Sequence, residues 1–303
     1  MQHPGGTTQA DIELRPDRST FVSDRMAAAV PRATEREGWV DTAALALVYV
    51  VSIASLAGFA TFGLHPALLA RSNVSPEVYG RILIVAPRAQ ILIALGALVV
   101  FLVRRIGSRW VPAFLVVYVV SLGAELAGTT VGIPFGPYHY TDVLGAKWLG
   151  HVPALIPASW FMMALPSYAI ASRRLAGGGA APRIALGSFI LLSWDLALDP
   201  AMSLVTKHWV WGTTGPYYGM PLLNLFGWFV TGVALMVVFA ALRADRWVDP
   251  LPTSWMVGFY GANLLLPVGM SVAAGLWGVV VATGVALAAA ALTARRQARR
   301  GLA

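Results

Sequence analysis

Eight apolar stretches, each about twenty residues long, leave few folds open to this chain. They run at about 41–62, 81–103, 110–131, 152–171, 184–205, 223–242, 254–269 and 271–293. In hydrocarbon every backbone N–H and C=O must find its partner within the protein, so isolated stretches of this length cross a bilayer as helices. Only 12% of the 303 residues are charged and 57% are hydrophobic, and the mean hydropathy is +0.68. The expected fold is all-α, a polytopic transmembrane helix bundle of about eight spans. The last two stretches meet tightly around Pro267 and Gly269, which keeps a seven-span count open.

Charge orients the spans. Twelve arginines (among them Arg104, Arg105, Arg173, Arg174, Arg243 and Arg246) fall in the connections on one side, including the C-terminal end. Arg71, Arg81, Lys147 and Lys207 fall on the other. The basic side is expected to be cytoplasmic, with both termini there, in a multi-pass protein of the cell membrane. The same placement turns the net charge of +8 into a topology signal and argues against nucleic acid as a partner. Residues 1–38 are polar, mixed in charge and contain Pro4, Gly5, Gly6, Pro16 and Pro31. They read as a disordered cytoplasmic tail, 39–294 as the transmembrane domain that carries the chemistry, and 295–303 as a basic cytoplasmic tail. No short apolar region with a cleavage site precedes the first span, so no cleaved leader is expected. The absence of cysteine excludes disulfides, thiolate metal sites and a cysteine nucleophile.

Few ionisable groups remain inside the spans: Arg88, Glu125, Asp195 and Asp199. Asp195 and Asp199 lie four apart, on one helical face, with Pro200 removing a backbone donor beside the second. A carboxylate at the bilayer centre costs roughly 2.5–3.5 kcal/mol on insertion scales, so acids placed there suggest a functional site. The bland alternative is a structural pair neutralised by an arginine of a neighbouring helix. Counting residues from the span ends puts all four groups near one depth. Three acids against one base would leave excess negative charge in low dielectric, so at least one carboxyl is expected to hold its proton and to be able to donate it.

Two long connections lie over these acids. Both contain Gly-Pro-Tyr, at 136–138 and 215–217, and both lead into a span with proline and then tryptophan seven residues on: Pro153 and Trp160, Pro221 and Trp228. Spans 3–4 and 5–6 therefore read as a degenerate repeat in parallel orientation, against the plainer reading that interfacial turns simply use glycine, proline and aromatics. His65, His139, His151 and His208 fall on the same side as these loops but without close pair spacing, so no metal is expected. Trp160, Trp194, Trp228 and Tyr260 suit packing or an interfacial belt.

One set of residues is specific enough to suggest a family. Glu125 is followed by Gly132-x-Pro134-Phe135-Gly136-x-Tyr138-x-Tyr140, and later by Trp194-Asp195-x-x-x-Asp199-Pro200-x-Met202. Then come Trp209-x-Trp211 and Gly215-x-Tyr217-Tyr218-Gly219-x-Pro221-x-x-Asn224-x-x-Gly227-Trp228. This resembles the integral-membrane carotenoid 1,2-hydratases of bacterioruberin-type and γ-carotene-type pathways. The resemblance implies cofactor-free addition of water across the C1–C2 double bond of an acyclic ψ-end of a C40 or C50 carotenoid, drawn from the lipid bilayer. It also suggests other carotenoid biosynthesis enzymes as partners.

That chemistry needs an acid for C2, support for a tertiary cation at C1, and a base for water. Asp195 or Asp199 would be the acid, tuned by the other aspartate and by Arg88, while Glu125 orients water. Trp194, Tyr138, Tyr140, Trp209, Trp211, Tyr217, Tyr218 and Trp228 would offer ring faces to the cation. Asn224, His139 and His151 would give polar support. Rival readings are a membrane prenyltransferase, which needs a second aspartate-rich motif that is missing, and an oxygenase, which needs histidine clusters that are missing. A proton-coupled transporter also suits buried acids and a repeat, and stays open at the level of sequence.

Overall fold

The computed structural model describes residues 18–175 and 179–300, with side chains over 38–75, 77–175 and 179–295. The described helices are α1 Arg18–Gly58, α2 Pro66–Ala70, α3 Pro76–Ile106, α4 Val111–Val131, α5 Leu155–Arg174, α6 Ala180–Asp199, α7 Leu222–Ala241, α8 Asp245–Val248, α9 Thr253–Ala273 and α10 Trp277–Arg300. Short strands sit in the two long loops: β1 Tyr138–Tyr140, β2 Lys147–Trp148, β3 Val152–Pro153 and β4 Trp209–Trp211. The all-α bundle holds. Eight helices are long and apolar enough to cross a membrane: α1 from Gly38, α3, α4, α5, α6 with the π-helical turn Pro200–Val205, α7, α9 and α10.

The chain divides into Met1–Thr42 and Ala43–Ala303. In the first unit the described stretch is the start of α1, where Thr42 Oγ1 donates back to Gly38 O at 2.8 Å. Of the tail read over residues 1–38, residues 1–17 lie outside the described residues, and α1 already begins at Arg18. At the other end α10 runs to Arg300 through most of the basic stretch, and residues 301–303 lie outside the described ones. The second unit holds the remaining elements and the candidate site.

Spans seven and eight are distinct. The break lies at Gly275, in the left-handed region at φ +75°, and not at Pro267 and Gly269, which sit inside α9. A helix tolerates an internal proline when another group takes the carbonyl that proline leaves without its N–H. Asn263 O, four residues before Pro267, accepts the Trp194 indole N–H at 3.2 Å. The same device repairs α6: Leu196 O, four before Pro200, accepts the Tyr217 hydroxyl at 2.9 Å.

α5 and α6 form the centre, with 72% and 67% of their apolar windows buried against 28% for α4 and for α10. α6 packs on α5, α7 and α10, while α4 packs on α5 and α7. The outer helices turn large apolar side chains outward, such as Val85, Leu115, Val119, Phe226 and Val281. In water so much contiguous apolar surface would drive aggregation; facing acyl chains it is the required finish.

Candidate active site

The α4–α5 and α6–α7 loops meet over one end of the bundle. There β1 pairs antiparallel with β4, Tyr138 opposite Trp211, His139 opposite Val210 and Tyr140 opposite Trp209. Alternation along a strand sends i and i+2 to one face. Tyr138, Tyr140 and Trp209 are accordingly buried, with Trp211 half-buried beside them, whereas His139 and Val210 face out. The pair is pinned at both ends by Thr141 N donating to His208 O at 2.9 Å and Gly212 N to Pro137 O at 2.7 Å.

Two glycines let the first loop descend. A Cβ on Gly128 would stand 2.8 Å from Phe135 and 2.9 Å from Tyr138, and one on Gly227 would stand 2.6 Å from both Phe135 and Pro134 O. These separations are shorter than real Cβ contacts allow, so α4 and α7 need glycine there for the rings to reach the acids.

Under the ladder, Glu125 is enclosed by donors. Its Oε2 accepts the hydroxyls of Tyr138 and of Tyr140, the latter at 2.9 Å, and its Oε1 accepts the Trp160 indole N–H at 2.8 Å. Burial first, and then the adjoining carboxylate, pushes both phenols well above the ordinary tyrosine range, so they remain O–H donors. The aspartates are served more thinly. Asp199 Oδ1 accepts from Trp209 Nε1 at 2.9 Å, and the Asn224 amide donates both to Asp199 Oδ2 and, at 3.2 Å, to Asp195 Oδ2. Asp195 Oδ1 is buried with no hydrogen-bond partner among the described residues. The ladder therefore ties the two acid centres together, with β1 hanging on Glu125 and β4 on Asp199.

A cavity of about 870 Å³ is lined by Glu125, Asp199, Asn224 and His208 at its polar end. Trp160 and Trp228 line it as a stacked pair, ring centroids 4.0 Å apart, and Trp194 meets Trp228 edge-on at 5.9 Å. Its other arm is apolar and runs past Phe59, Phe62 and Leu69 to Ile82 and Leu83. Those last two are about half exposed, so the arm opens on the lipid-facing side beside α3. Asp195 does not line the cavity.

Several residues singled out from sequence lie elsewhere. Arg88 does not meet the acids: its Nε donates to Val143 O at 2.7 Å and its Nη2 to Asp142 O at 3.0 Å. A guanidinium takes the carbonyls its planar fork can reach, and the loop before Gly145 wraps around it. Tyr217 serves the Leu196 carbonyl. Tyr218 presses its hydroxyl on Gly278 of α10, where a Cβ would overlap it. His139 and His151 are exposed. Conversely, Trp160 belongs to the site although the sequence suits it to packing; its only signal is the proline-to-tryptophan spacing shared with Trp228. His208, read as one of several lone interfacial histidines, is buried at 6% exposure.

Fold and site together define a polytopic membrane protein with a carboxyl cluster closed beneath a four-ring ladder and a side opening for something long and apolar. The carotenoid biosynthesis protein family matches residues 88–290, and the chain belongs to that family. A curated relative, the bisanhydrobacterioruberin hydratase of Haloarcula japonica, is 31% identical over 121 residues, 39% of this chain and 41% of that protein. The chain thus spans about two fifths of the length of the curated relative it matches. No solved structure matches it significantly.

Proposed function

We propose that this chain is a carotenoid hydratase that adds water across the C1–C2 double bond of an acyclic ψ-end without a cofactor. The observation that carries the reading is the cavity: an apolar arm open beside α3 that ends against Glu125 and Asp199 under aromatic rings. A polyene would slide in from the bilayer and leave only its end group at the acids. The relative from Haloarcula japonica supports the reaction class through its name.

Asp199, the aspartate on the cavity wall, gives its proton to C2 in its acid form. The positive charge appears at the tertiary C1, where the faces of Trp160, Trp194 and Trp228 stabilise it without trapping it. Glu125 supplies a fixed counter-charge and holds the Tyr138 and Tyr140 hydroxyls, which position the incoming water. Asp195, reached only through Asn224, holds the amide that orients Asp199. Water adds to C1 and releases one proton, which restores Asp199, so the net change is H on C2 and OH on C1.

The test supplies membranes containing the chain with a ψ-ended carotenoid in H₂¹⁸O, without oxygen or added cofactor. The expected product is a 1-hydroxy carotenoid carrying ¹⁸O, with one deuterium at C2 when D₂O is used. Label arriving from ¹⁸O₂ instead, or no product at all, overturns the reading. In the same proposal the ladder faces out of the cell and both termini face in. Single cysteines at His139 and Thr213, both exposed, should react with an impermeant thiol reagent in intact cells.

A further inference from the structure

One buried titratable group on the cavity wall has no part in the steps above. His208 lines the same cavity as Asp199, is 6% exposed, and its Nε2 has no hydrogen-bond partner among the described residues. An unpaired polar atom in a dry site is costly, so one that persists calls for an explanation.

The neighbouring threonine decides which ring nitrogen carries the proton. His208 Nδ1 lies 2.6 Å from Thr206 Oγ1. The threonine hydroxyl has one proton, which Ala201 O at 3.0 Å, Met202 O at 3.5 Å or the ring nitrogen itself is placed to accept. Ala201 O is the carbonyl of the π-helical turn to which Thr206 N also donates, at 3.2 Å. When that proton goes to the backbone, Thr206 Oγ1 offers only lone pairs to the ring. Nδ1 is then the donor, and Nε2 carries a bare lone pair. Burial keeps the ring neutral by lowering its pKa to about 4.

The backbone holds the ring in place. Lys207 takes a left-handed conformation at φ +53°, which a non-glycine residue adopts only against a steric cost. This reversal turns Lys207 to the surface and His208 inward. His208 N donates to Met202 O at 2.7 Å, and its carbonyl accepts from Thr141 N and Thr141 Oγ1. Glu125, the group expected to orient water, already accepts three donors. With the ring proton on Nδ1, His208 Nε2 is an acceptor that no donor among the described residues occupies.

We infer that His208 is the general base of the reaction, its Nε2 accepting a proton from the water that adds to C1. This rests on the hydratase reading. As the water oxygen bonds to C1, one O–H bond breaks and that proton moves to Nε2, giving an imidazolium. The imidazolium returns the proton to the Asp199 carboxylate, which lost one to C2, and the site is reset. Thr206 is a positioning residue that sets the tautomer.

The test compares wild type, His208→Gln, Thr206→Val and Asp199→Asn in D₂O with a ψ-ended substrate, at matched protein levels. Without the base, protonation at C2 still occurs but water is not captured. His208→Gln should lose hydration by about a hundredfold or more while recovered alkene, or its isomer with the double bond moved to a methyl carbon, gains deuterium at C2. Asp199→Asn should lose both hydration and exchange. Thr206→Val should lose hydration in part and keep exchange. Nitrogen NMR of ring-labelled wild-type protein should show His208 protonated at Nδ1 and bare at Nε2, and this arm needs no turnover. Wild-type hydration rates in His208→Gln, or an Nε2–H tautomer, overturn the role of His208 and leave the hydratase reading standing. A wild type that hydrates no ψ-ended substrate overturns the hydratase reading itself.

Discussion

Glu125 and the Asp195–Asp199 pair are the same kind of group, all of them buried, yet they are held in opposite ways. Glu125 accepts two phenol hydroxyls and an indole N–H. The two aspartates share one amide, Asp199 has one further indole N–H, and Asp195 Oδ1 has no partner among the described residues. A carboxylate wrapped by donors is a fixed charge and a structural post for the loop that covers it. A pair left short of donors has capacity for a proton or for water, and such shortfalls belong where chemistry happens. On the proposed reading the contrast divides labour between the two centres: the glutamate holds the lid, and Asp199 of the pair reacts.

The sharpest way to break this division is to remove the acids one at a time. Asp199→Asn should reduce turnover by about a thousandfold, within the range that general acids contribute. Asp195→Asn, away from the cavity wall, should cost only about ten- to a hundredfold through misplacement of Asp199. Equal effects from the two, read from product formation in membranes, would erase the distinction between a reacting and an orienting aspartate.

Stability should show the reverse order. Glu125→Gln turns an NH₂ toward groups that are all donors, and leaving such donors buried and unmet costs roughly 1–3 kcal/mol each. Thermal unfolding in detergent should therefore drop clearly for Glu125→Gln and little for Asp195→Asn, whose Oδ1 has no donor to lose. A smaller loss is expected from Gly128→Ala. Its methyl would meet Phe135 and Tyr138, an overpacking of about 1–3 kcal/mol, and should lift Tyr138 from Glu125 while Trp209 stays on Asp199.

The smallest effect concerns pH and the Asp199 side of the lid. His208 titrates near 4 because of burial, below the ordinary histidine value. Its folded pKa is depressed, so its contribution is complete above about pH 6.5 and is lost as pH falls toward 4, where the unfolded chain binds a proton that the folded chain refuses. Unfolding midpoints followed from pH 7 to 4 should fall less steeply in His208→Gln. Identical slopes would mean that the ring is already charged.

The sequence by itself determined the solvent and the ladder of spans. Long apolar stretches admit only helices in hydrocarbon, and their edges fall within a few residues of those observed, the main difference being the last break, at Gly275 and not at Pro267. The acids, too, were visible, because a carboxylate inside a span is rare enough to stand out singly. Partners were not visible. Arg88 was the one internal cation available to the acids by depth, yet depth says nothing of azimuth, and α3 turns it to the carbonyls of Asp142 and Val143. Tyr217 matched a cation-binding pattern, yet its hydroxyl is spent on the carbonyl orphaned by Pro200, as the Trp194 indole N–H is on the one orphaned by Pro267. Only the tertiary structure decided that β1 and β4, 71 residues apart from Tyr138 to Trp209, would pair and bring their rings onto both acid centres. It also decided that His208 would turn inward. Hydropathy is a property each segment carries alone, whereas a hydrogen bond across two loops exists only after the helices beneath them have packed.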